Sequence, residues 1–223
     1  MKTLVVCTTK NKFGKKDGAE FLREATLFSK LHNGQGLYYK SEAPWTRRRL
    51  CEQFFRSAGE LGGPVDAVAF FGHGGSRDLY CSGHSLRHIP KLADALRSCL
   101  RHDRECYVLL FACLTGKGFG FADKLDEALE ARGLNVKTIS HTTAGHVDKN
   151  PNTEDSGEGA QCRGVDLIPR GSQLWPAWVR KLRDDPVFRV SFWTMSQAQL
   201  ESEIGGTPVP RMPPLPKTVK NQV

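Results

Sequence analysis

Two rhythms of apolar residues run through the first 140 positions of the chain. Short blocks in which nearly every residue is apolar alternate with longer stretches in which an apolar residue returns every three or four positions. "TLVVCTT" has the length and Val content of a short buried strand, and "DGAEFLREATLFSKL" behind it has helical spacing. "GLYYK" reads as a second strand. "APWTRRRLCEQFFRSAGEL" gives a helix beginning near Thr46, whose hydroxyl suits the exposed N–H groups of a first turn. Val65 to Phe71 is the third strand, "IPKLADALRSCL" the next helix, and Tyr107 to Phe111 the fourth strand. "GFADKLDEALEARGLNVKTIS" adds a helix that stops near Gly133 and a fifth strand from Val136 to Ser140.

Strands separated by helices of this length require right-handed crossovers, hence an α/β fold with a mostly parallel sheet covered by helices in a three-layer sandwich. After residue 141 the rhythm loosens into a long polar stretch, "HTTAGHVDKNPNTEDSGEGAQCRG". "WPAWVRKLRDD" then predicts a helix, "VFRVSFW" a sixth strand and "SQAQLESEI" a last helix. One domain over 1–204 is expected, followed at 205–223 by a proline-rich arm unsuited to a core.

Composition narrows the class. At 223 residues and 39% hydrophobic content the chain can bury a substantial core. A formal charge of +8 favours acidic partners, nucleic acid among them, but the basic residues are scattered apart from "TRRRL", and no aromatic binding motif adjoins them. The first residues lack the apolar core of a secretory signal, and no segment approaches the roughly 18 apolar residues of a membrane span. A soluble cytoplasmic protein without membrane partners is expected. The seven cysteines are odd in number and lack paired spacings, so they read as reduced thiols, mostly small core residues.

Two of the apolar runs end in chemistry. "VDAVAFFGHGG" closes on His73 between glycines, and "CYVLLFACLTG" closes on Cys113. Both follow the carboxyl ends of strands in a parallel sheet, where such sheets place their sites. A cysteine hydrolase needs a thiolate, an imidazole to move protons and N–H donors for the oxyanion. Histidine, with an ordinary pKa of about 6.5, suits the second task, and the N–H groups of Gly74 and Cys113 suit the third. Singly, Cys113 reads equally well as a buried core residue and His73 as a turn histidine; together they read as a pair.

"AVAFFGHGG" and "YVLLFACLTG" resemble the His-Gly and Ala-Cys motifs of the caspase-like cysteine peptidases, the clan that includes metacaspases, legumains, gingipains, clostripain and separases. The resemblance covers roughly residues 1 to 140 and implies a caspase-like sandwich with a mostly parallel six-stranded sheet. It implies that Cys113 is the nucleophile, His73 its catalytic partner and Gly74 an oxyanion donor. It also implies a peptide or protein substrate and a zymogen awaiting processing, a ligand or an activating protein. No cofactor is required. Some members are calcium-activated, which makes calcium a candidate ligand.

In the resembled clan the residue two before the nucleophile helps line the first specificity pocket, with glutamine or aspartate there. Here it is Phe111, which departs from both. Asp148, Glu154 and Asp155 could accept a basic side chain, and Arg77, Arg163 and Arg170 an acidic one, although for any one of the six a solvated loop charge is the better reading. The acidic residues clustered after the fifth strand tilt the expectation toward basic specificity. His141 is placed at the cleft border, and His84 and His88 either border it too or cap the following helix. Asp148, Asn150 and Asn152 alternate like the start of a calcium loop, but Thr153 and Gly159 stand where glycine and glutamate belong. His141, His146 and Cys162 match no compact zinc spacing, so the metal assignment stays unknown. A silent caspase-like interaction module, a nucleic-acid-associated regulator and an amidase are the competing readings; the absence of a G-x-S-x-G or G-x-C-x-G elbow argues against an ordinary α/β hydrolase.

Overall fold

The apolar runs become neighbouring strands of one sheet. The computed structural model describes residues 1–8, 18–39, 45–142, 160–163 and 165–205. Strand β1 (Thr3–Thr8) leads through α1 (Gly18–Leu31) to β2 (Gly34–Tyr39), and α2 (Trp45–Glu60) carries the chain to β3 (Ala67–Phe71). A small hairpin of β4 (Asp78–Leu79) and β5 (His84–Ser85) precedes α3 (Ile89–Cys99). Then come β6 (Cys106–Phe111), α4 (Phe121–Glu130) and β7 (Val136–His141). The strand order is β2-β1-β3-β6-β7, all parallel, continued by two short antiparallel strands, β8 (Ala160–Cys162) and β9 (Val165–Asp166).

Alternation along the strands builds two cores. Val68, Phe70, Val108 and Leu110 face α2, α3 and α4; Ala69, Phe71, Leu109 and Phe111 face α1 and the C-terminal helices. Those helices are α5 (Trp175–Asp184), α6 (Pro186–Arg189) and α7 (Gln197–Gly205). The central strands are buried on both faces, which is why they read as continuous apolar runs. The result is an α/β three-layer sandwich around a mixed, mostly parallel sheet. None of the described helices is long and apolar enough to cross a membrane.

One element departs from expectation. "VFRVSFW" forms no strand: Pro186–Arg189 is a helical turn and Phe192–Thr194 a 3-10 turn. Asp185 Oδ1 caps the turn by accepting the Phe188 N–H at 2.9 Å, and Pro186 fits a first helical position that needs no donor. The alternation misleads because Arg189, which a half-buried strand would turn to water, is only 4% exposed. Among the described residues the expected six-stranded sheet is a seven-stranded one, and its sixth strand, β8, emerges from the stretch read as a long loop.

Arg189 ties the C-terminal helices to α1. Its guanidinium donates to Leu182 O and Arg183 O, both at 2.6 Å, and pairs with Glu24 at 2.7 Å. Replacing Arg189 by Met is expected to lower unfolding stability by roughly 3 kcal/mol or more, because the Glu24 carboxylate stays buried without this cation. The measurement is urea unfolding followed by circular dichroism. A midpoint within error of the wild type would show that the clasp contributes nothing net.

Candidate functional site at the carboxyl edge of the sheet

The β3–β6 register sets the geometry. Phe71 and Phe111 are paired neighbours at the strand ends, so His73 and Cys113 leave the sheet at equivalent positions, each two residues beyond its paired phenylalanine. The ladder continues one step past the strand, with Gly72 N–H donating to Phe111 O at 3.2 Å. The two exit loops then pack directly on each other. A methyl group on Gly74 would lie 2.8 Å from Thr115 Cγ2, 2.9 Å from the Ala112 Cβ and 2.9 Å from the Cys113 carbonyl oxygen, so only glycine allows this approach. Phe121 N–H donates to Ser76 O at 2.8 Å and Ala122 N–H to Thr115 O at 3.0 Å, joining both loops to the start of α4.

His73 is held from two sides. Its carbonyl accepts the Cys81 N–H at 3.2 Å, and its ring stands edge-on to Phe21 of α1, centroids 5.1 Å apart. Its Nε2 is buried without a hydrogen-bond partner among the described residues. Among the described residues, neither the Gly74 N–H nor the Cys113 N–H donates to a backbone carbonyl.

All seven cysteines are free thiols. Burial pushes the Cys7 thiol up to about 12, with the Glu24 carboxylate adding to the effect, and pushes Cys99 up to about 12 and Cys106 to about 11. Burial also raises Cys51, Cys81 and Cys162. Apart from Cys162, which is partly exposed, these thiols behave as small core residues. Cys113 is partly exposed at the sheet edge.

Beyond Cys113 the chain crosses the end of β7. Gly116 N–H donates to His141 O at 2.9 Å, and Gly116 O accepts from the Gln161 side chain on β8. A methyl group on Gly116 would collide with Ser140 Oγ and come within 2.9 Å of Gln161 Nε2. Ser140 Oγ is itself buried with no hydrogen-bond partner among the described residues. Ser140, Gln161 and Gly116 thus make a polar seam beside Cys113. Sequence reading missed it because Ser140 looked like a strand end and Gln161 lay in the presumed loop; the glycine three residues past Cys113 was the one visible signal.

The other selected residues divide. Phe111 is 2% exposed, stacked on Phe71 with centroids 4.5 Å apart and packed near Phe28 and His141. It supports the edge from within the core. His141 is buried at the end of β7, next to that ring. Arg163 lies at the opposite end of β7, pairing with Glu130 at 2.6 Å and donating to Val136 O, which removes it from the edge. Arg170 sits over the Trp175 ring. His88 Nδ1 accepts the Ser85 N–H at 3.1 Å, which caps the 3-10 turn Leu86–His88 and leaves α3, the helix it was expected to cap, without a side-chain cap, and His84 is buried against Ser82. Asp148, Glu154, Asp155 and His146 lie outside the described residues, as does the calcium-like stretch; the chain on either side of them, at His141 and Ala160, is paired at the same carboxyl edge. Among the described residues, no three His, Cys, Asp or Glu side chains are grouped to hold a metal.

No protein-family model matches the chain, and no curated protein matches it.

A thiol and an imidazole issuing from adjacent strand ends, beside N–H groups that donate to no backbone carbonyl among the described residues, are the components acyl transfer uses. The loop contact makes a direct prediction. Gly74→Ala should cost roughly 1–3 kcal/mol of stability by overpacking and slow alkylation of Cys113 by iodoacetamide. Gly59→Ala on α2, where a methyl group meets nothing within 4 Å, should be neutral or stabilising. Equal behaviour of the two variants in thermal unfolding would contradict the close approach.

Proposed function

We propose that the chain is a cysteine endopeptidase of the caspase-like kind, working through Cys113 and His73 in a domain spanning 1–204. The observation that carries this reading is the register: paired Phe71 and Phe111 send His73 and Cys113 from neighbouring strand ends into loops that touch at Gly74. The mostly parallel sheet, with helices on both faces, agrees with it.

The chemistry follows from the groups present. The Cys113 thiolate adds to the scissile carbonyl carbon, and the electron pair of the C=O bond moves onto oxygen, where the N–H groups of Gly74 and Cys113 meet it. The C–N bond breaks as His73, protonated, gives its proton to the departing amine, and a thioester remains on Cys113. Water then loses a proton to neutral His73 and adds to the thioester. Collapse breaks the C–S bond, releases the acid and restores the thiolate and the imidazolium. Phe21 against one edge of His73 restricts the ring, which reduces the reorganisation each proton transfer needs. Buried or raised thiols elsewhere leave the partly exposed Cys113 as the accessible nucleophile of the edge. The acidic residues Asp148 and Asp155 would favour a basic side chain before the cleaved bond.

A positional-scanning peptide library, incubated with wild-type protein and with Cys113→Ala, with and without calcium, tests the reading. Cleavage by wild type that falls at least about a thousandfold in Cys113→Ala is expected for loss of a nucleophile. Cleavage that persists in Cys113→Ala, or none by the wild-type chain even after limited proteolytic nicking, would count against it.

A further inference from the structure

The loop leaving Cys113 carries an unusual concentration of backbone strain. Among the described residues four that are not glycine have positive φ, and two of them, Leu114 at 58° and Phe119 at 30°, lie between Cys113 and α4. Asparagine tolerates this region, as at Asn33, whereas bulky apolar residues seldom enter it. The strain persists because local and tertiary hydrogen bonds together hold the loop on both sides. Lys117 N–H donates to Leu114 O at 3.0 Å, Gly116 N–H to His141 O, and Phe121 N–H to Ser76 O, while Asp123 Oδ2 accepts the Gly120 N–H at 3.1 Å.

What this conformation presents is Phe119. Its side chain is in water: the residue is 88% exposed, above Val165 at 69% and Val187 at 50% among the exposed large apolar residues. A scattered apolar surface residue needs no explanation. A phenylalanine held outward by a strained, pinned loop that begins at the candidate nucleophile does, since relaxing either feature would be favourable for folding. Tyr80, 44% exposed and lying against Gly75, places a second aromatic ring on the loop that begins at His73.

We propose that Phe119 is a specificity-determining residue, an aromatic face on the Cys113 loop against which an apolar side chain of the bound ligand packs. That the ligand is a peptide rests on the cysteine-peptidase reading; that the contacting group is apolar rests on Phe119. The basic preference expected before the cleaved bond concerns a different side chain of the same peptide.

The test reads Cys113 directly and does not need turnover. The full chain is alkylated with iodoacetamide and with an aryl-bearing iodoacetamide, and modification of Cys113 is followed by peptide mass spectrometry. The aryl reagent should modify Cys113 faster than the parent reagent, on the order of tenfold, when an aromatic contact is available. That preference should disappear in Phe119→Ala and survive in Phe119→Leu. Phe119 lies outside the core, so circular dichroism of both variants should match the wild type. A preference unchanged in Phe119→Ala, or absent from the wild type, overturns the proposal. Loss of the preference in a chain that cleaves no library peptide would sink the peptidase reading and leave the apolar contact standing. Cys113-dependent cleavage with an unchanged preference would do the reverse.

Discussion

Parallel pairing of β3 with β6, locked by the stacked rings of Phe71 and Phe111, is the constraint from which the carboxyl edge follows. A parallel ladder fixes register along its whole length, so residues at equal distances past the paired ends must emerge together. The ring pair, 4.5 Å apart and within 8° of parallel, adds about 0.5–1.5 kcal/mol beyond simple burial. It also closes the core immediately beneath the loops. A one-residue slip of β3 along β6 would turn Phe71 toward the opposite core, break the stack and move His73 along the edge away from Cys113.

The edge above this seal is built differently from the interior. Below it, cysteines and aliphatic residues fill the layers, and burial holds the thiols neutral. Above it, glycines let backbones approach within contact, and polar atoms such as His73 Nε2 and Ser140 Oγ are buried without hydrogen-bond partners among the described residues. Such atoms add nothing to the stability of a core. The stability of the fold is thus supplied elsewhere, in the two cores and in the Glu24–Arg189 clasp, leaving the edge free to carry strain.

Much of this was legible in the chain. The central strands β1, β3 and β6 could be read because they are buried on both faces and therefore written as nearly unbroken apolar runs. His73 and Cys113 stood out because they interrupt those runs at their ends. The C-terminal region was harder. Phe188, Val190 and Phe192 alternate like a strand, yet a buried arginine and a capping Asp185 turn them into helical segments, and neither signal belongs to the hydrophobic pattern. β8 is three residues long and antiparallel, too short for periodicity to reveal. The Ser140–Gln161–Gly116 seam depends on that strand and was hidden with it.

Dependence of Cys113 reactivity on His73 tests the central claim most directly. Alkylation of Cys113 at neutral pH is to be compared in wild type and His73→Ala, with the buried Cys99 as an internal reference in the same digest. If the two loops form one site, Cys113 modification slows several-fold in His73→Ala while Cys99 is unaffected. Equal rates at Cys113 in the two proteins would contradict it, leaving a histidine and a cysteine that share a sheet edge without sharing chemistry.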